Sequence, residues 1–172
     1  MTGSDQGIFR VVGIGVRDGL AERLVRLESE NLCHVTLCPD LADVSPDHGP
    51  KGIDVLVLDF ANPDGEGVRR AAEWIGQASS GIRLLVVMDE GSAQEVDETF
   101  VAGADDCLVA PFGEASLRRS LKRLCDDRNT AIRSLFLHET IRIMEDCRPL
   151  AYCLEPGQLY PMTVELLLAA TA

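Results

Sequence analysis

Asp59 closes the apolar run "DVLVLDF" and stands directly before "ANPDGEG", which makes it the side chain best placed to do chemistry in this sequence. A carboxylate at the end of a buried strand can hold a metal ion or accept a hydrogen bond from a loop amide. Three other acids follow apolar runs in the same way, Asp18 after the first and Asp89 and Glu90 after the fourth. Gathered at one crevice with Asp59 they are weak candidates for a metal site, and Asp89 beside Asp59 without a metal would raise one of the two pKa values. The plain alternative makes them solvated loop acids and Asp59 a partner for a loop amide, with Asp64 a turn residue after Pro63.

A second chemistry is suggested by "VVGIGVRDG", where Gly13, Gly15 and Gly19 form G-x-G-x-x-x-G, one residue longer than the dinucleotide fingerprint. Asp40 after the second apolar run would then hold a ribose. The segment from Leu41 to Gly52 is loop-like where a nucleotide fold continues with a helix, so nucleotide binding at Gly13 to Gly19 stands as an alternative of a different class. Cys33, Cys38, Cys107, Cys125, Cys147 and Cys153 contain no C-x-x-C pair, and His34, His48 and His138 are scattered. The cysteines read as small core hydrophobes, and no metal is expected from them.

These residues need elements to position them. Apolar runs of strand length lie at Phe9 to Val16, His34 to Cys38, Asp54 to Phe60, Arg83 to Met88 and, shorter, Cys107 to Val109. The third and fourth are continuous in Val and Leu, as in strands covered on both faces. Between and after them run helical periods: Leu20, Leu24 and Leu27; Val68, Ala71, Ala72 and Ile75; Val96, Phe100 and Val101; Leu117, Leu121 and Leu124. The order βαβαβαβαβα predicts an α/β fold, a doubly wound five-stranded parallel sheet with helices on both faces. Past Leu124, the residues Ile132, Leu135, Phe136, Ile143 and Met144 stripe a second helix or a prolonged one, which Pro149 is expected to end. Pro156-Gly157 marks a turn, and a last short helix is expected from Thr163 to Ala170.

The chain of 172 residues carries 16 Lys and Arg against 28 Asp and Glu, a formal net charge of −12. Such a charge repels a phosphate backbone, so no direct nucleic-acid binding is expected. No apolar run reaches the ~18 residues of a membrane span, and "MTGSDQG" has no signal pattern, so a cytoplasmic protein without membrane contact is expected. The expected organisation is a domain over 8–126 followed by a helical extension, or the start of a truncated output region, over 127–172. The ending "LLLAATA" leaves open whether the chain is a fragment.

The segments "VLVLDFANPDGEG" and "AGADDCLVAPF", at their mutual spacing and with this strand order, resemble the receiver domain of bacterial two-component response regulators over roughly Phe9 to Asp126. The resemblance implies the flavodoxin-like receiver fold and makes Asp59 the candidate phosphoacceptor, with Pro63 and Gly67 shaping the loop behind it. It also implies a divalent cation, held by an acidic pair after the first strand, by the phosphoacceptor and by the carbonyl of Ala61. A lysine before the fifth-strand proline and a Ser or Thr after the fourth strand complete that machinery.

This sequence departs at the supporting positions. "GIGV" replaces the acidic pair, Ala110 the lysine, Met88 the Ser or Thr, and Cys107 the switch aromatic. The reading is a degenerate receiver: a signalling module without catalysis that needs no cofactor, with Mg²⁺ required only if Asp59 is phosphorylated. The family's dimerisation face would here comprise Val96 to Ala102, Cys107 to Val109 and Ala115 to Arg123. On it Arg118, Arg119, Lys122 and Arg123 form a basic cluster that complements the acidic Asp89 to Glu98 stretch. A protein partner or output domain and a homodimer are the expected partners. An atypical receiver phosphorylated at Asp59 is the first alternative.

Overall fold

The computed structural model describes residues 8–44, 52–60, 65–78, 81–151 and 164. Five strands, β1 (Phe9–Ile14), β2 (Cys33–Cys38), β3 (Val55–Phe60), β4 (Arg83–Met88) and β5 (Asp106–Val109), form one sheet in the order β2-β1-β3-β4-β5. Every pairing is parallel. Four helices accompany them: α1 (Asp18–Ser29), α2 (Gly65–Ala78), α3 (Ala93–Val101) and α4 (Glu114–Ala151). The doubly wound five-stranded sheet read from the sequence is therefore present. Because the chain passes from β1 to one side and returns to β3 on the other, the topological switch lies between β1 and β3, where doubly wound folds open a crevice at the strand ends.

The two faces of the sheet carry separate cores. Val11, Val55, Val57, Leu85 and Val87 meet Leu20, Leu24 and Leu27 of α1 and Leu117, Leu121 and Leu124 of α4. Val12, Leu56, Leu58, Leu84, Val86 and Met88 meet Val68 and Ala71 of α2 on the other face. Alternate residues of one strand thus bury on opposite sides, which is why β3 and β4 read as unbroken apolar runs.

Two expectations are corrected, the end of β1 and the end of α4. After β2 the described chain forms a single 3-10 turn, Leu41–Asp43, in the segment read as loop-like, with Asp40 accepting the Ala42 N–H at 3.2 Å as its cap. β1 stops at Ile14, because Gly15 turns the chain at φ +61°. Pro149 does not end α4, which runs to Ala151. The proline leaves the carbonyl four residues before it without its usual helical donor, and α4 continues only two residues past it. The apolar residues past Leu124 prolong α4 and stand exposed, from 40% at Ile132 to 69% at Met144. The helix expected from Thr163 to Ala170 lies outside the described residues, Val164 excepted.

The chain divides into two compact units, Met1–Asn129 with the sheet and Thr130–Ala172 with the rest of α4. In the first, Asp54 ahead of β3 accepts the Arg10 N–H at 2.7 Å and pairs with Arg128, each side chain about 15% exposed or less. Among the described residues no helix is long and apolar enough to cross a membrane.

Candidate functional site

Asp59, the penultimate residue of β3, points into the crevice at the switch between β1 and β3, and its side chain is 1% exposed. A carboxylate so far from water needs donors and an opposite charge. Both come from Arg17, which caps the start of α1 in extended conformation. The Arg17 backbone N–H donates to Asp59 Oδ2 at 2.8 Å, its Nε donates to Oδ1 at 3.2 Å, and its Nη2 closes the pair on the same oxygen. Arg17 Nη1 meets Asp89 Oδ2 in the loop after β4. The hydrogen bonds that Arg17 donates to Asp59 first and to Asp89 second hold the guanidinium proton even more firmly than usual.

Local sequence delivers Arg17 there. Gly15 adopts the left-handed region, its N–H donates to the Cys38 carbonyl at 3.1 Å, and a Cβ at this position would sit 3.8 Å from the Asp59 carbonyl oxygen. The turn therefore crosses directly beside the end of β3 and brings Arg17 over it two residues later. Gly13 lies inside β1, where an added Cβ would be 2.5 Å from Val16 Cγ2 and 2.9 Å from Leu37 Cδ2. Gly19 lies inside α1 and is exposed. The three glycines thus serve a strand, a turn and a helix, and do not form one phosphate-cradling loop. A cavity of about 330 Å³ next to Asp59 has Gly15, Asp40, Leu58 and Arg70 among its lining residues.

Of the acids singled out in the sequence, Asp59 and Asp89 share a partner, whereas Asp18 is exposed in the first turn of α1 and Glu90 is exposed beside Asp89. Among the described residues no three His, Cys, Asp or Glu side chains converge as metal ligands. Ala61, Pro63 and Asp64 lie outside the described residues, as do His48, Cys153 and the side chain of Cys147.

Met88, at the Ser or Thr position, is fully buried at the end of β4 and lies 3.9 Å from the Thr99 hydroxyl. Ala110, at the lysine position, donates its N–H to the Met88 carbonyl at 2.8 Å and precedes a cis peptide bond to Pro111. Cys107, in β5, has its thiol pushed up to about 11 by burial and then by Asp106. The residue that the sequence reading missed is Arg17. Its signal was an unpaired basic residue two positions past the glycine that ends β1.

The basic cluster of α4 is partly spent within the chain. Arg118 pairs with Glu30 and Glu114, and Arg123 pairs with Asp106 at 2.6 Å. Arg119 and Lys122 are exposed and line a shallow groove with Glu114, Ala115 and Arg118. On α3, Phe100 is 43% and Val101 89% exposed, next to the exposed Asp97 and Glu98.

No protein-family model matches the chain. The swarming motility regulation protein RssB of Serratia marcescens is 28% identical over 100 residues, which are 58% of this chain and 44% of that protein. The chain thus spans less than half the length of this curated relative. A CheY-like response regulator receiver domain protein from Methanospirillum hungatei superposes with a TM-score of 0.57 at 18% identity, covering 73% of this chain and 99% of that one. The non-phosphorylated HemR receiver domain from Leptospira biflexa gives 0.54 at 24% identity, over 68% and 94%. HP1043, an orphan response regulator of H. pylori, gives 0.54 at 19% identity, over 68% and 96%. The strand order, the crevice at Asp59 and these neighbours agree that the chain has the fold of a response regulator receiver domain.

Proposed function

We propose that this protein is a receiver-type signalling module that works through protein contacts, without catalysis of its own and without regular Mg²⁺-dependent phosphorylation of Asp59. The observation that carries this reading is the state of Asp59: both carboxylate oxygens already accept hydrogen bonds from Arg17. An acyl phosphate formed there would have to break those contacts. It would also lack the lysine that balances its charge in the family, since Ala110 stands at that position. Each missing cationic or metal contact removes several kcal/mol of transition-state stabilisation, roughly 3 kcal/mol on the scale of a single lost electrostatic donor.

The contact face is the one formed by α3, β5 and the first turns of α4. Exposed Phe100 and Val101 supply an apolar centre, Asp97 and Glu98 a negative rim, and Arg119 and Lys122 a positive one. A two-fold pairing that sets α3 of one chain against α4 of another satisfies both signs at once. A homodimer or a partner domain carrying the same complementarity is therefore the expected occupant. The glycines being distributed over strand, turn and helix argues against the nucleotide-binding alternative.

Intact-mass spectrometry after incubation with acetyl phosphate and Mg²⁺, on the wild type and Asp59→Asn, tests the reading. No adduct is expected on either protein. A phosphoryl adduct on the wild type that the variant lacks overturns it and makes Arg17 the phosphate partner of an atypical phosphoacceptor. Sedimentation of wild type against Val101→Glu checks the face, with loss of self-association or of partner binding expected.

A further inference from the structure

We infer that the Arg17 guanidinium is the resident cation of the receiver crevice: it takes the place of a divalent ion, excludes Mg²⁺ and joins the ends of β1, β3 and β4 by itself. This rests on the receiver reading above and adds the agent that makes metal unnecessary. Arg17 reaches Asp59 on β3 and Asp89 after β4 from the turn after β1, so one side chain spans the three strand ends. A hard divalent cation in this place would require six or so oxygen ligands. Among the described residues Asp59 and Asp89 are the carboxylates that Arg17 holds, Asp40 lines the cavity beside Asp59 but caps the 3-10 turn after β2, and the chain before Arg17, "GIGV", offers no side-chain oxygen.

The donor set fits a planar, five-donor cation better than a spherical one. Arg17 uses its Nε, Nη1 and Nη2 on two carboxylates, the forked geometry for which arginine is suited and which a metal does not share. The charge ledger agrees. Two carboxylates against one guanidinium leave one negative charge, and it rests on Asp89, whose side chain is 51% exposed and so served by water. Adding a divalent ion would place it against the guanidinium at contact distance, and the ion would have to displace Arg17 from both carboxylates to enter. A tethered cation also competes at a local concentration that a free ion in millimolar solution does not reach. The residues therefore do not fit Mg²⁺, and the crevice is held closed without it.

A mechanical consequence follows for the contact face. Asp89 lies three residues before Ser92, the N-cap of α3, whose capping box with Glu95 fixes the start of that helix. By holding Asp89, Arg17 ties the start of α3 to β1 and β3. The α3 surface is then presented in one arrangement at all times, as a module that is not switched requires.

The test is Mn²⁺ binding by the full chain, followed by the paramagnetic signal of the free ion, for wild type, Arg17→Gln and Arg17→Gln/Asp59→Asn. The wild type is expected to hold no Mn²⁺ at millimolar metal. Arg17→Gln is expected to bind it roughly tenfold or more tightly, because a positive charge in contact has been removed, and the double variant to lose that gain. Mn²⁺ bound by the wild type as tightly as by Arg17→Gln overturns the assignment, and so does an Arg17→Gln protein that folds and gains nothing. Should Arg17→Gln not fold, the wild type decides by competition: Mn²⁺ bound by the wild type and released by Asp59→Asn overturns the assignment, whereas no binding upholds it. Treating the same samples with acetyl phosphate separates the two readings. An adduct on a wild type that binds no Mn²⁺ overturns phosphate independence alone, and a wild-type Mn²⁺ site without an adduct overturns the role of Arg17 alone.

Discussion

Arg17 and Asp59 form a two-pronged ion pair between the ends of β1 and β3, in which the acid is 1% and the base 42% exposed. The asymmetry sets the expected energetics. Arg17→Ala strands a buried charge, whereas Asp59→Asn leaves an arginine that water and Asp89 still serve. Removing one partner of a buried pair costs about 3 to 5 kcal/mol, and the exposure of Arg17 reduces that to about 2 kcal/mol for Arg17→Ala. Urea unfolding is expected to show a lower midpoint for Arg17→Ala than for Asp59→Asn. The reverse order would place the charge requirement on Arg17.

A second pair holds the opposite end of the sheet. Asp54 accepts the Arg10 N–H at 2.7 Å and pairs with Arg128 of α4, with side chains 14% and 15% exposed. Arg128→Met is expected to cost about 3 kcal/mol by leaving Asp54 with a backbone donor alone. A matched Asp54→Leu/Arg128→Met protein is expected to recover part of that loss. The coupling is read from a double-mutant cycle of urea midpoints.

Burial of cysteine thiols gives stability an alkaline limit. Burial raises Cys125 to about 12 and Cys33 to about 11, against an ordinary value of 9.0. A raised folded pKa means that the native state keeps the proton that the unfolded chain gives up. Stability from these groups is thus complete below pH 9.0 and lost as pH climbs toward 11 to 12. Unfolding free energy is expected to fall over that window, and the slope is expected to shrink in Cys125→Ala. At about pH 8 the native thiols of Cys33 and Cys125 are expected to resist alkylation that goes to completion in urea, as read by peptide mapping.

Gly13 supplies clearance within β1. Gly13→Ala puts a methyl 2.5 Å from Val16 and 2.9 Å from Leu37, so it is expected to destabilise by about 1 to 3 kcal/mol, as overpacking does. Gly19→Ala meets nothing within 4 Å and replaces a glycine in the first turn of α1, so a gain of up to about 0.5 kcal/mol is expected. Thermal unfolding of the two variants is expected to move in opposite directions. A shared nucleotide-binding role predicts instead that both keep their melting point and lose a ligand.

The strands, the doubly wound order and both cores were legible in the sequence because each depends on local pattern. Unbroken Val and Leu runs mark strands covered on both faces, and Leu20, Leu24 and Leu27 mark one side of α1. The candidate Asp59 was legible too, since a carboxylate that ends a buried apolar run stands out. The continuation of α4 past Pro149 was not, because whether a helix carries a proline near its end depends on neighbours that local pattern does not reveal. The role of Arg17 was invisible for a stronger reason. In sequence it is an ordinary loop arginine, 42 residues from Asp59 and 72 from Asp89. Only the parallel register, which lines up the carboxyl ends of β1, β3 and β4, brings those three side chains within contact, and contact at that range decides whether a buried carboxylate waits for a metal ion or already has its counter-charge.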